Sequence, residues 1–298
     1  SPTRRRASSP GAGSASRPAR ALLAAVPAPP PHPIEVGVLG PLELMADGRP
    51  LAGELRRGRV RALLSFLAAH RSTTRAKVVA ALWPDLDERA AANNLRVTLN
   101  YLLGALEPWR GKGEPSFFVR IDGNAVTLAG GDWLRVDAER FDDHVRRATR
   151  ADADGAPSLA LEHALAAAAL YRGPAHQDVG DADWVDVERE HYATRFVTTA
   201  VRAGELLVGH GDAEQAEDLA RRALSVDPWC DDAYAVTVSA ALARGDRVAA
   251  RRTLDKADAA LAELGVDPSP ELQRLRRRLR GFAVRRSRGP SGPAPKAP

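Results

Sequence analysis

A glycine-aspartate pair recurs at a fixed distance in the second half of this chain. Gly211-Asp212 returns 34 residues later as Gly245-Asp246, with Ala216 matched by Ala250 and Ala223 by Ala257. Each unit closes on Val-Asp-Pro, at 226–228 and 266–268, the second displaced by an insertion of about two helical turns. Small residues at matched positions let helices approach closely, and the prolines end them. A repeat of this length constrains the region to stacked helical units, because no single unit can bury its apolar face alone.

Thirty-four residues is the tetratricopeptide period. Around the repeat the pattern is helical almost throughout, with segments predicted near 138–150, 157–171, 183–209, 213–225, 230–243, 246–263 and 270–280. An α-solenoid of this kind offers a concave surface to another protein and is rarely catalytic. Its charge agrees with that role: residues 131–270 hold 16 basic and 27 acidic side chains, whereas 1–33 hold five Arg and no acid, 34–130 hold 13 basic against 10 acidic, and 271–298 hold nine against one. A nucleic-acid footprint therefore belongs outside the acidic middle.

The first half reads differently. Residues 1–33 are rich in Pro, Ser, Gly, Ala and Arg and are expected to be a disordered linker, as is the tail at 283–298. Order is expected from Ile34, where Val36, Val38, Leu42 and Leu44 alternate around Gly40-Pro41 and Asp47-Gly48 supplies a tight turn. Three helices follow, over 59–70, 74–83 and 87–106, with Thr73 or Thr74 and Asp85 or Asp87 as caps. Phe118–Ile121 and Ala125–Leu128 then flank a turn at Asp122-Gly123-Asn124. Strands, three helices and a closing hairpin are the order of an OmpR-type winged helix. The fold class expected is mainly α with a small β component: a winged helix-turn-helix domain at 34–130, then an all-α tetratricopeptide-like domain at 131–282.

Several function classes recede. Cys230 is the only cysteine, so neither an intrachain disulfide nor a thiolate zinc cluster can form. The apolar stretch Ala21–Val26 stops at prolines, well short of a bilayer span, and a cytoplasmic location without membrane contact is expected. Arg4, Arg5 and Arg6 ahead of it imitate a twin-arginine export signal only loosely. Glu188 and His191 have a di-iron spacing without the second pair that chemistry needs. Asp178, Asp181, Asp183 and Asp186 lack the glycine and terminal Glu of a calcium loop. Phosphate-binding loops, nucleophile elbows and His-Glu-x-x-His are absent from the sequence. No catalytic residue, metal or cofactor is expected.

Taken in order, several stretches resemble one family. VGVLGPLELMADGRPL, RVRALLSFLAAHR, VVAALWPD and NNLRVTLNYLLGAL look like the opening strands and three helices of the actinobacterial antibiotic regulatory proteins. VDAERFDDHV, ALAAAALYRGPA, WVDVEREHYATRF and LAELGVDPSPELQRLRRRL look like landmarks of the bacterial transcriptional activator domain that follows, so the resemblance spans roughly 34–281. It implies a transcriptional regulator, an activator, that sets its third helix in the major groove of double-stranded DNA on repeated sites. The hairpin would lie on the backbone or minor groove, and the helical domain would contact RNA polymerase or a second copy, as a homodimer or in tandem. Some relatives carry an ATPase module ahead of this half, and a chain that begins with Ser and has low-complexity ends reads as a piece of a longer protein.

The third helix carries the recognition question. At 100° per residue Leu95, Leu99, Leu102 and Leu106 lie within about 40° of one direction and form the buried face. The opposite face centres on Asn93, Val97, Asn100 and Gly104, with Arg96 on one flank and Asn94 and Tyr101 on the other, and Thr98 is counted with the groove-facing set. Asn pairs bidentately with adenine, Arg with guanine or phosphate, and a Val methyl touches thymine. Relatives carry more arginines after the matched valine than this helix does, which reduces phosphate attraction. Arg57 and Arg59 at the first helix, Arg75 at the second, and Arg120 and Asn124 in the wing are the expected sources of added contact. The competing expectation is a tetratricopeptide-like adaptor whose winged domain no longer binds DNA.

Overall fold

The computed structural model describes residues 26–51 and 54–287. Most of the segment read as an N-terminal linker, with Arg4–Arg6, lies outside them, as do residues 288–298 of the tail. Along the chain run β1 (Ile34–Gly37), β2 (Glu43–Ala46), β3 (Arg49–Pro50), α1 (Gly58–His70), β4 (Ser72–Thr74), α2 (Arg75–Leu82) and α3 (Glu88–Leu106). Then come β5 (Val119–Asp122), β6 (Ala125–Leu128), β7 (Leu134–Val136), α4 (Asp137–Ala153), α5 (Pro157–Leu170), α6 (Asp183–His210), α7 (Ala213–Val226), α8 (Asp231–Ala243), α9 (Arg247–Leu264) and α10 (Pro270–Ser287). They form two compact units, one built on 46–134 with the residues up to Ile34, the other on 35–45 and 135 onward.

The first unit is a winged helix. Val60, Leu63, Leu64 and Leu67 of α1 meet Leu95, Leu99, Leu102 and Leu106 of α3 in a core completed by Val78, Phe118, Val126 and Leu128. Of the two caps offered for each helix, one is used: Thr74 accepts from the Lys77 N–H at 3.3 Å and Asp87 from the Ala90 N–H at 2.9 Å. Thr73 is buried in β4 instead. The sheet has the order β4-β6-β5, with Asp122 opposite Ala125 across the two-residue turn Gly123-Asn124. Its last hairpin starts one residue later than expected, since Phe118 is fully buried core rather than strand.

A buried carboxylate fastens the irregular stretch between α3 and the wing. Glu107, just past the end of α3, accepts from the Phe117 N–H at 2.7 Å and from the Ser116 hydroxyl, and Arg110 lies beside it. These bonds satisfy the charge and fix where the hairpin starts relative to α3.

In the second unit β2, β1 and β7 are sheet neighbours in that order, followed by seven helices. The opening strands, expected with the winged helix, send residues 35–45 to this unit. The reason lies in Asp137 at the first turn of α4. Its carboxylate accepts from the Val38 N–H at 2.8 Å and the Leu39 N–H at 3.1 Å, and pairs with Arg172 at 3.0 Å. Burial pushes the Asp137 carboxyl above its usual range, against the pull of these three donors. Further along, Leu42 N–H reaches Asp178 at 2.6 Å.

The 34-residue repeat is a repeat of helix ends. Gly211 (φ 87°) and Gly245 (φ 76°) are left-handed, and their N–H groups return to Val208 and Leu242. The next N–H groups, of Asp212 and Asp246, reach Leu207 and Ala241, while the same aspartates cap α7 and α9 by accepting from Gln215 and Ala249. Glycine supplies the conformation at no steric cost, and the aspartate closes one helix and opens the next. The matched alanines Ala216, Ala250, Ala223 and Ala257 are all fully buried. At Gly204 of α6 a β-carbon would stand 2.7 Å from a Val236 methyl, so only glycine lets α6 and α8 approach this closely. The final helix continues to Ser287, past 280 and into the stretch read as a tail, because nothing between Phe282 and Ser287 breaks it before Gly289-Pro290.

Candidate nucleic-acid interface

Capping by Asp87 starts α3 a full turn before the stretch that drew attention in the sequence. The consequence is a longer polar stripe: Arg89, Asn93, Arg96 and Asn100, at i, i+4, i+7 and i+11, lie within about 60° of one direction, and all four are exposed. Arg96 donates to the Asn93 side-chain oxygen at 3.3 Å, holding the two along the stripe. Arg89 was missed in the sequence reading, although the same seven-residue spacing from Arg96 was there to find it. Val97 stands beside the stripe, 37% exposed.

Thr98 is corrected. It is only 7% exposed and lies on the buried arc with Leu102 and Ala105, so its hydroxyl is not presented to a groove. Asn94 and Tyr101 are half-buried on the flank. Tyr101 has a use there: the Arg57 guanidinium lies 4.0 Å from its ring centroid, so a cation from the start of α1 is held against α3.

The other arginines divide. Arg75 opens α2, and its N–H bonds to the Asn124 carbonyl in the wing turn at 2.9 Å, tying the wing tip to the start of α2. Both residues line, together with Asn93, Arg96 and Asn100, a groove of about 1010 Å³ between α2, α3 and the wing. Its floor is apolar, with Val79, Leu95, Leu99 and Leu103, and Leu86 and Ile121 stand at 42% and 44% exposure. Since Ile121 faces this groove, alternation puts Arg120, which is exposed, on the other face of β5. Arg59 is committed elsewhere: its guanidinium donates to the Leu82 carbonyl at the end of α2 and lies 5.9 Å from the Trp83 ring. The structure therefore gathers Asn93, Arg96, Asn100, Arg75 and Asn124, adds Arg89, keeps Arg57 near through Tyr101, and leaves Arg59 and Arg120 apart. Such a surface can donate to phosphates through its arginines and read base edges through its asparagines.

Of the aspartates at 178–186, three have local partners. Asp181 and Asp186 flank Arg189 at 3.8 and 3.3 Å, and Asp178 accepts a backbone N–H. Among the described residues no group of three His, Cys, Asp or Glu side chains could hold a metal ion, and no helix is long and apolar enough to cross a membrane.

Residues 136–280 match the bacterial transcriptional activator domain. The chain is 26% identical over 264 residues to the transcriptional regulatory protein EmbR of Mycobacterium tuberculosis (strain ATCC 25618 / H37Rv), with 83% of this chain and 63% of that protein covered. The EmbR of Mycobacterium bovis matches to the same extent. This chain thus spans 63% of the length of these relatives. A solved structure of Mycobacterium tuberculosis EmbR in complex with a low-affinity phosphopeptide matches with a TM-score of 0.68 at 21% identity, over 84% of this chain and 66% of that one.

Proposed function

We propose that the chain belongs to the antibiotic regulatory family, a winged helix followed by a bacterial transcriptional activator domain, and that it is a DNA-binding transcriptional activator. In this reading α3 enters the major groove with Arg89, Asn93, Arg96 and Asn100 toward the bases and nearest phosphates. Arg75 and the wing turn at Asn124 rest on the backbone, and the helical unit contacts RNA polymerase or a second copy bound at a repeated site. The observation that carries it is the exposed Arg-Asn-Arg-Asn stripe on a helix whose opposite face is leucine core.

Selection of duplexes from a random pool, followed by mobility-shift titration at several salt concentrations, tests this. A preferred duplex should emerge that binds well above random sequence. Recovery of no preferred sequence contradicts the proposal.

One observation favours a second reading. The groove beside α3 has an apolar floor with exposed Leu86 and Ile121, a surface that suits an apolar protein segment better than phosphate. An adaptor would lose partner binding on Ile121→Asp without any change in affinity for DNA, whereas the activator reading expects DNA affinity to fall with the wing turn.

A further inference from the structure

The last helix of the second unit carries a charge pattern that none of the packing uses. Leu272 and Leu275 are buried and Leu279 is packed against the same cluster, with Leu254, Ala257 and Leu261 of α9. That stripe fixes the rotation of α10. Arg274 and Arg277 then fall on the opposite side, with Arg278 and Arg280 on its two flanks, and all four are exposed. Two arginines of this helix are neutralised, Arg274 by Glu271 at 2.7 Å and Arg276 by Asp258. Arg277, Arg278 and Arg280 have no ion pair or side-chain hydrogen bond among the described residues.

This placement is unfavourable by itself. Arg274 and Arg278, and Arg276 and Arg280, are like charges four apart on a helix, a spacing that repels. The helix dipole favours cations only in the last turn, and α10 ends at Ser287, well beyond these residues. The surrounding unit is acidic, with 16 basic against 27 acidic residues over 131–270, so the stripe is a local reversal of sign. On α9, Arg252 and Lys256 are exposed two residues on either side of the buried Leu254, and the Arg276–Asp258 pair sets that level near Arg280.

We propose that Arg277, Arg278 and Arg280 of α10 form a second, sequence-independent contact for the phosphate backbone of duplex DNA, carried by the helical unit. The choice of duplex DNA as the polyanion rests on the activator reading above. Three arginines on one helix, with neighbours already neutralised, give an anion of extended charge what it needs and give a single small anion no enclosed site. An activator with such a contact grips DNA beside its recognition sequence as well as within it.

The test is a binding titration of the whole chain against a random-sequence duplex of about 30 base pairs over a range of KCl. The variants are R277A/R278A/R280A, the charge-preserving R277K/R278K/R280K, and R96A/N100A. Each neutralised phosphate contributes roughly 0.9 to the slope of log affinity against log salt, so the alanine triple should lower that slope by about 2 to 3 while the lysine triple keeps it. Because these side chains are exposed, the thermal midpoint serves as a check that folding is unaffected. An unchanged slope in the alanine triple overturns the proposal, as does loss of binding to polyglutamate without loss of binding to duplex, which would assign the stripe to an acidic protein. Failure of the α3 reading has a different signature: titrated against a selected duplex as well as the random one, R96A/N100A would keep the wild-type difference between the two while the alanine triple still lowered the slope.

Discussion

Each side chain of α3 has its role set by angle and by neighbours. Arg96→Ala and Asn100→Ala should each lower affinity for a selected duplex by about 1–3 kcal/mol, roughly 5- to 150-fold, and flatten preference at one base position. Comparison of selected and mismatched duplexes checks this, and equal loss on all sequences would move these residues to the backbone. Arg75→Ala should weaken all duplexes alike and reduce the salt slope by about 1, whereas Arg120→Ala, on the other face of β5, should leave the slope unchanged. The leucine stripe was legible because helical periodicity fixes which side is buried, and it named Asn93, Arg96 and Asn100 correctly as exposed. Thr98 was misplaced, although the same periodicity puts it beside Leu102. The fate of Arg59 could not be read, since its carbonyl partner at Leu82 lies 23 residues away and only tertiary packing brings them together.

Single residues also decide how elements are joined. Glu107→Ala removes the acceptor for the Phe117 N–H and Ser116, leaving polar groups without partners where the wing begins, and should cost about 2–3 kcal/mol in denaturant unfolding. Gly204→Ala forces α6 from α8 and should lower the thermal midpoint, whereas Gly209→Ala, with open space around it, should not. Between α4 and α5 the Nδ1 atoms of His144 and His163 are 3.4 Å apart. Burial first, then His163, Arg140 and Arg147, hold the His144 imidazole below its ordinary value near 6.5, with Asp143 opposing. The fold thus favours neutral His144, so this contribution is complete above that value and drains as pH falls through it toward the lower folded value. His144→Gln should make the unfolding midpoint fall less between about pH 7.5 and 5.5 than in the wild type, and an equal fall would assign the effect elsewhere. Helix existence and most helix ends were legible from periodicity and caps. The allegiance of residues 35–45 was not, because alternation announces a strand without naming its partner, here Asp137, about a hundred residues on.

For the whole molecule, the repeat at 34 residues and the order of strands, helices and hairpin announced two different architectures in one chain, and both are present. What sequence order could not supply is how much charge reaches the reader helix. Arg89, one turn ahead of Asn93 on the same helix, extends the exposed stripe, and Arg57 lies against Tyr101, so the thinly charged stretch is better supplied than it first read. The central claim, that α3 reads DNA, is tested most directly by salt-dependent titration of the whole chain against its selected duplex and a random one, with R96A/N100A alongside. The account predicts tighter binding to the selected duplex at every salt concentration and convergence of the two curves in the variant. Identical curves for the two duplexes in the wild-type chain would contradict it.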